Sequence, residues 1–543
     1  MPCHTETLIA VEGFENNINE DNDDHSSYSS ENCSDYDLLS NLSDDDDIST
    51  GSILSDDDDT NFSENSTDQE LETSAESEFD YEHLWKYLDD DFANEFHYCE
   101  SCFELFPADT DTVRCGKCNN PRFKMLNKVK QPRASFVMAN INRQLKNLLQ
   151  SPGIWEDVLK NKNYIRNRYL QDNETITDIT DGSLYRKLLS ENDFLNGTDN
   201  TNLTAVINTD GVSLYSSSKV QLWPIFMAVN ELNPCARFAR ENVILAGIWQ
   251  GKGKPPFNTF IGSFCKLMND LYDTGITEKL NGEETTVKLK VICGIYDLPA
   301  KAAILNMTQY NGSDSCITCE EPGKTVKQGK GTSRCFPYRE TAEKYPNRNQ
   351  AGVKLAMERG TERNRIKGFK GTSPLLDLKN FDIVSGTPPD YMHGVLLGVT
   401  KTLLYKWFSS TEKGILPNKY LEHFACLAEG VYFLLGDKIS KNDLQRAHIL
   451  LDAFFRNFSN LYPAGSCGLN VHNIGMHMVE YVRVLGPLWS WSCFPFEDCN
   501  SMITKTVHGT GDVTKQVMKI KEAQALLRNN LPLIFKGKKL EES

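Results

Sequence analysis

Two Cys-x2-Cys pairs constrain the fold of this chain more than any other feature. Cys99-x2-Cys102 and Cys115-x2-Cys118 are separated by 12 residues in "CESCFELFPADTDTVRCGKC". Four thiolates with this spacing can close a tetrahedron around one Zn²⁺ ion, although chance cysteines are the alternative. We therefore predict a zinc ribbon within a module spanning residues 79–130, where the metal braces a small domain.

Charge is divided unevenly along the 543-residue chain. Residues 1–100 contain 31 acidic residues and one basic residue, Lys86, whereas the remainder contains 56 basic and 44 acidic residues. Residues 1–78 are poor in apolar side chains, so we predict a disordered acidic tail there. An acidic tail on a basic body favours a nucleic-acid-binding protein, and a solvated tail on a mildly basic enzyme is the alternative.

Targeting signals and the number of cysteines indicate the cellular compartment and the kinds of partner that this protein can have. The sequence has no secretory signal peptide and no apolar run near about 18 residues, so we expect a cytosolic or nuclear protein without a membrane partner. Sixteen cysteines in a reducing compartment indicate thiols and metal sites, not disulfides. "GKGKPP" at 251–256 lacks P-loop spacing, so we expect no ATP requirement.

The order of strands and helices predicts an α/β or α+β class. Residues 131–200 are typical of a helical linker, or of a region for dimerisation or DNA contact. "LTAVINTDGVSLYSS" predicts a strand that ends at Asp210, and "TVKLKVICGIYDLPAKAAIL" predicts a strand followed by Asp297 and a helix. Residues 390–460 are strongly helical, and Glu497 in "CFPFEDCN" lies near the start of another helix.

Asp210, Asp297 and Glu497 are the candidate catalytic carboxylates. Three carboxylates from two strand ends and a helix can hold two Mg²⁺ or Mn²⁺ ions about 3.5–4 Å apart. One ion activates a water or a 3′-hydroxyl, and the other stabilises the leaving oxygen at phosphorus. Because the chain has 75 acidic residues, a chance triple is the alternative on pattern alone.

Several motifs in order resemble the transposases of CACTA (En/Spm-like) DNA transposons. They occur between roughly residues 200 and 515, and they read "INTDGVSLYSSSKVQLWPIFMAVNEL", "GIYDLPAKAAILNMTQYNGSDSCITC", "PDYMHGVLLGVTKTLLYKW" and "GPLWSWSCFPFE". The resemblance implies a DDE-class enzyme whose RNase H-like sheet carries Asp210, Asp297 and Glu497. It implies metal-dependent DNA strand cleavage and strand transfer at transposon ends.

The same resemblance implies a domain order and a set of partners. The first part of the catalytic core would span 201–310, a large and mostly helical zinc-containing insertion 311–485, and a catalytic helix with a basic tail 486–543. The implied partners are the transposon terminal repeats, the target DNA and a second copy of the chain, in the nucleus.

The insertion is similar in layout to the catalytic core of the vertebrate V(D)J recombinase. There, a Cys-x2-Cys pair after the second Asp and a histidine pair before the Glu hold one zinc ion. Carried over to this sequence, those ligands are Cys316, Cys319, His472 and His477, which would give two structural zinc ions in all. Cys335 and His393 are rival ligands, and His393 is alternatively a helix-packing, phosphate-facing or active-site residue.

"VHNIGMH" at 471–477 presents a geometric difficulty. Residues five apart on an ideal helix are about 140° out of phase, so His472 and His477 would not face one ligand. We therefore predict that His472 lies at or before a helix start, or that a bulge eased by Gly475 intervenes. His477 should then lie on the helix that ends at Gly486.

Weaker signals leave other functions open. Trp489 and Trp491 are candidates for base stacking, with buried core positions as the stronger alternative. Candidate phosphate contacts are Lys505, Lys515, Lys519 and Lys521, with a solvated basic face as the alternative. A catalytically silent, transposon-derived DNA- or chromatin-binding protein is the main alternative function. An RNase H-type nuclease without strand transfer is a further one.

Overall fold

The computed structural model describes residues 90–541, except for 110, 127, 172–173, 191–192, 215–218, 410–415 and 508–511. The predicted acidic tail at 1–78 and residues 79–89 of the predicted zinc module lie outside the described residues. Across the part of the chain that is described, no helix combines the length and the apolar character needed to cross a membrane.

A mixed α/β architecture is present, which confirms the predicted class. The strands are β1 Ala93–His97, β2 Phe123–Leu126, β3 Val129–Pro132, β4 Ser135–Ala139, β5 Leu203–Thr209, β6 Val212–Ser213, β7 Val220–Val229, β8 Ile244–Lys252, β9 Ile276–Leu280, β10 Glu283–Val287, β11 Leu289–Ile295, β12 Lys324–Gln328 and β13 Gly331–Cys335. Seven of them form one sheet in the order β1-β4-β8-β7-β5-β11, with β6 paired to β7. The other six form three two-stranded hairpins.

Helices cover both faces of this sheet and form most of the chain after β13. The α-helices are α1 Ile141–Leu149, α2 Ile154–Leu170, α3 Ser183–Leu188, α4 Pro234–Arg237, α5 Phe257–Asp273, α6 Leu298–Ile304, α7 Gln350–Arg359, α8 Lys401–Phe408, α9 Asn418–Leu434, α10 Lys441–Leu461, α11 Leu469–Met476, α12 Met478–Leu485, α13 Phe494–Thr506 and α14 Val513–Glu541. A π-helix, Met392–Thr400, runs directly into α8.

Alternation along the strands divides the core between the two faces. In β5, Ala205 and Ile207 pack into the core on the α5 side, whereas Val206 packs into the core on the α10 and α13 side. Successive side chains of a strand point to opposite faces, so both faces of β5 are buried. This accounts for its almost uninterrupted apolar sequence, which is typical of a covered central strand.

Pairing in the sheet joins segments that are distant in sequence. β1, from the predicted zinc module, pairs antiparallel with β4, and β4 pairs antiparallel with β8. β5 pairs antiparallel with β7 but parallel with β11. The segment 131–200, expected to be helical, thus contributes a strand as well as α1 to α3. The expected helical insertion begins with loops and the β12–β13 hairpin before α7 starts.

Candidate active site and metal centres

Strand register brings Asp210 and Asp297 together. β5 and β11 are parallel neighbours, and Asn208 pairs with Ile295. Asp210 and Asp297 each lie two residues further along, so they emerge side by side at the same edge of the sheet. Residues two apart point to the same face of a strand, which turns both carboxylates toward the side covered by α13.

Glu497 reaches this edge from the first turn of α13. The neighbouring Phe496 is fully buried and anchors the helix, because its ring stacks on Phe226 of β7 at 6.3 Å between centroids. Asn500, one turn later, donates a hydrogen bond from Nδ2 to Glu497 Oε2 at 3.4 Å. Core packing therefore fixes the helix that presents the third carboxylate.

Three potential metal-ligating atoms converge at the site. One carboxylate oxygen of Asp210, one ring nitrogen of His393 and one carboxylate oxygen of Glu497 all lie within 4.8 Å of one another. Asp297 lies outside this cluster and caps α6, where its Oδ1 accepts a hydrogen bond from Ala300 N at 2.6 Å. Asp210, Glu497 and His393 thus form one cluster. Asp297 lies beside it, close enough for its charge to raise the pKa of Asp210.

Burial and like charge shape the electrostatics of the carboxylates. Burial, together with the negative charges of Asp297 and Glu497, raises the pKa of Asp210 well above its usual range. Burial also raises the pKa of Asp297 and Glu497, although the positive charge of His393 opposes both shifts. Buried carboxylates close to one another are costly to ionise unless a positive charge lies nearby. The cluster of Asp210, His393 and Glu497 could hold a metal ion.

Asp390 holds the His393 ring in place. Its Oδ2 accepts hydrogen bonds from His393 Nδ1 at 2.8 Å and from the His393 amide at 2.9 Å. Its Oδ1 accepts the Cys493 amide at 3.0 Å. Burial acts to lower the pKa of His393, but the bond to Asp390 and the surrounding carboxylates outweigh it and raise that pKa to about 9. The sequence offered His393 as a rival zinc ligand or, alternatively, as a helix-packing, phosphate-facing or active-site residue. It did not indicate Asp390, whose signal is the Asp-x2-His spacing.

The four N-terminal cysteines form a compact group. Sγ of Cys99 lies 3.3 Å from Sγ of Cys118, and Sγ of Cys102 lies 3.5 Å from Sγ of Cys115. Four sulfurs at about 2.3 Å from a tetrahedral zinc ion would be separated by about 3.8 Å. All four sulfurs lie within 4.8 Å of one another, so this cluster could hold a zinc ion.

A second compact group joins the insertion to the helices before Glu497. Sγ of Cys316 lies 3.4 Å from Nε2 of His477, and Sγ of Cys319 lies 3.3 Å from Nε2 of His472. The two Sγ atoms are 3.7 Å apart and the two Nε2 atoms 3.1 Å apart. A tetrahedral zinc ion would set these separations at about 3.8 and 3.3 Å, so this buried Cys2His2 cluster could also hold zinc. The rivals Cys335 and His393 are not members of it.

A break between two helices solves the spacing problem of the histidines. His472 lies within α11, and His477 stands between α11 and α12 with φ −125° and ψ −24°. The expected irregularity therefore occurs at His477 and not at His472. Gly475 has a packing role instead, because a Cβ there would lie 2.3 Å from Cβ of Phe455 on α10. Gly486 follows α12, as predicted.

The residues proposed as weaker candidates for DNA contact lie partly in the core and partly at the surface. Trp491 is fully buried and donates from Nε1 to the Gly486 carbonyl at 2.9 Å, so the base-stacking hypothesis is wrong for this residue. Lys515 pairs with Glu95 at 3.1 Å, and Lys521 donates to a backbone carbonyl at 2.6 Å. Both of these lysines have partners within the protein, while Lys505 lies in the last turn of α13.

A protein-family model matches part of the chain. Residues 80–350, just under half of the chain, match a family described as "Protein of unknown function (DUF1258)". No curated protein matches the chain. The matched segment contains the four N-terminal cysteines, Asp210, Asp297 and the Cys316–Cys319 pair. It ends before His393, the histidine pair and Glu497.

Proposed function

We propose that this protein is a DDE-type transposase, or a domesticated derivative, that cleaves and joins DNA strands at transposon ends. The observation that carries the proposal is the convergence of Asp210, Asp297 and Glu497 on one edge of the sheet. Asp210 and Asp297 extend two neighbouring parallel strands in matched register, and Glu497 comes from a helix almost 200 residues further on. Carboxylates from such distant segments meet only because the whole core assembles them.

The same arrangement supports an RNase H-like sheet. The strand that carries Asp210 lies between an antiparallel neighbour, β7, and a parallel neighbour, β11, that carries Asp297. The crossover from β8 to β11 passes through α5, which covers one face. This layout presents both aspartates beside α13, as the proposed chemistry requires.

The proposal includes two divalent cations, Mg²⁺ or Mn²⁺, held by Asp210, Asp297 and Glu497. When bound, such ions supply an activated hydroxyl and stabilise the leaving oxygen at phosphorus. Asp210 is close enough to both Asp297 and Glu497 for their charges to raise its pKa, so it would contribute to both ions. Asp297 would hold one and Glu497 the other, each fixed by its place at the start of a helix. The proposal includes DNA as substrate, a homodimer and a nuclear location.

Divalent-metal-dependent nicking tests the proposal. The full-length chain is incubated with supercoiled plasmid that carries the genomic DNA flanking its coding region on both sides. We expect nicking with Mg²⁺ or Mn²⁺ and none with EDTA. Glu497→Gln and Asp210→Asn should each reduce the rate by about a hundred-fold or more, because each removes charge stabilisation from the reacting phosphate.

Asp498→Asn is the matched control, since it changes the residue next to Glu497 on the same helix. Asp498 is exposed and paired with Arg240, so nicking by this variant should equal that of the wild type. Equal nicking by wild type and Asp210→Asn would refute the catalytic assignment. Nicking without joining of a labelled 3′-hydroxyl end to target DNA would instead identify a nuclease without strand transfer.

A further inference from the structure

His393 is the unassigned residue of the carboxylate site. It lies in the π-helix Met392–Thr400, a rare geometry that is frequent at functional sites. One of its ring nitrogens lies within 4.8 Å of carboxylate oxygens of both Asp210 and Glu497. In an octahedral site with ligands at about 2.1 Å, neighbouring ligand atoms are about 3 Å apart and opposite ones about 4.2 Å apart. The limit of 4.8 Å is close to these values, so small side-chain adjustments would let all three residues share one ion.

Asp390 prepares the ring for this role. Its side chain is only 1% exposed, and it accepts from His393 Nδ1 at 2.8 Å. Nδ1 donates its proton to the carboxylate, so once Nε2 releases its own proton on metal binding, the lone pair for the metal is on Nε2. The other Asp390 oxygen accepts a hydrogen bond from the Cys493 amide, so both oxygens of this carboxylate are held in place and one of them faces the histidine. A buried carboxylate behind a histidine is the usual arrangement at protein metal sites.

We propose that His393 binds the same divalent cation as Asp210 and Glu497, oriented by Asp390, and that this nitrogen ligand makes the site prefer Mn²⁺ over Mg²⁺. The inference rests on the proposed function, because it assigns a ligand to the cation site of that proposal. Mg²⁺ selects oxygen ligands and retains its waters, whereas Mn²⁺ also prefers carboxylates but, as a first-row transition-metal ion, accepts an imidazole nitrogen more readily than Mg²⁺ does. Asp390 is a positioning residue that acts through His393.

Pulsed electron paramagnetic resonance of bound Mn²⁺ tests the ligand directly. The full-length chain, loaded with one zinc ion per cysteine cluster and freed of excess zinc, is titrated with Mn²⁺ without DNA. We expect Mn²⁺ to bind at least ten-fold more tightly than Mg²⁺ in competition. The echo envelope should show modulation from a directly bound ¹⁴N nucleus.

Substitutions at His393 then decide the assignment. His393→Gln and His393→Asn should abolish the ¹⁴N modulation and weaken Mn²⁺ binding at least ten-fold, while both chains keep the wild-type circular dichroism spectrum. Asp390→Asn should weaken binding by about 10–100-fold, the usual effect of losing the partner of a ligand. His448→Gln is the matched control, because His448 is exposed on α10, and it should change neither signal.

The outcomes separate this inference from the proposed function. Absence of bound Mn²⁺, absence of ¹⁴N modulation in the wild type, or its persistence in both His393 variants would each overturn the inference. Metal-dependent nicking without ¹⁴N modulation would leave the transposase proposal standing and remove His393 as a ligand. A bound Mn²⁺ with ¹⁴N modulation but no nicking would support the ligand assignment and count against the transposase.

Discussion

Loss of one ligand from the Cys2His2 cluster should empty a single zinc site and lower the melting temperature by a few degrees. Cys319→Ser replaces a thiolate whose Sγ lies 3.3 Å from His472 Nε2. A serine hydroxyl is a poor zinc ligand, and the other three donors alone do not close the tetrahedron. The wild type should therefore contain two zinc ions per chain and Cys319→Ser one.

The size of the effect follows from linkage. Zinc buffered at about 100 times its dissociation constant stabilises the folded state by about 2.7 kcal/mol. Unfolding entropy is about 2.1 cal/mol/K per residue, or about 0.95 kcal/mol/K for about 450 folded residues, so that free energy corresponds to about 3 °C. Scanning calorimetry in zinc-buffered solution should show this difference between wild type and Cys319→Ser, and metal analysis should give the stoichiometry.

Cys335→Ser provides the matched control. Cys335 is as buried as Cys319 but lies outside the cluster, so this variant should keep two zinc ions and the melting temperature of the wild type in zinc buffer. The difference between wild type and Cys319→Ser should disappear once both zinc sites are stripped with chelator. Two zinc ions in Cys319→Ser, or a 3 °C difference that persists without zinc, would refute the reasoning.

Two further predictions concern buried groups away from the metal sites. Burial lowers the pKa of His423. Its Nε2 donates a hydrogen bond to the Phe454 carbonyl at 2.8 Å, whereas its buried Nδ1 has no hydrogen-bond partner among the described residues. The folded protein therefore holds His423 neutral more readily than the unfolded chain does. The resulting stability is fully present above the unfolded pKa of about 6.5, and it is lost as the pH falls through the lower folded pKa. The gap in unfolding free energy between wild type and His423→Gln should shrink from pH 7.5 to pH 5 in urea titrations, and a constant gap would contradict the assignment. Arg237 is fully buried and donates to Asp178 at 2.7 Å, so Arg237→Met should cost about 3–5 kcal/mol in the same assay. Arg240→Met breaks an exposed, solvent-screened pair and should cost far less than Arg237→Met, and equal losses for the two variants would contradict the role of burial.

Local patterns were enough to predict much of the fold. The strand that leads to Asp210, the strand and Pro-initiated helix around Asp297, and the helix that carries Glu497 all follow from short-range signals. Such signals are local because apolar periodicity and Pro and Gly positions act within one element. The Cys-x2-Cys spacing similarly predicts a metal-binding turn, because both ligands lie on one short loop.

Strand order and side-chain convergence were decided only by the tertiary structure. No local pattern in the sequence joins β1 and β4 to the sheet of β5 and β11, because strand pairing between distant segments depends on which faces can be buried together. The sequence likewise offers His393 as an ambiguous residue, and only the buried bond to Asp390 turns its ring toward Asp210 and Glu497. For the pair in "VHNIGMH", the sequence by itself showed only that two histidines close in sequence could serve as zinc ligands. The helix break at His477, which aims both rings at the cysteines, came from packing of the core around them.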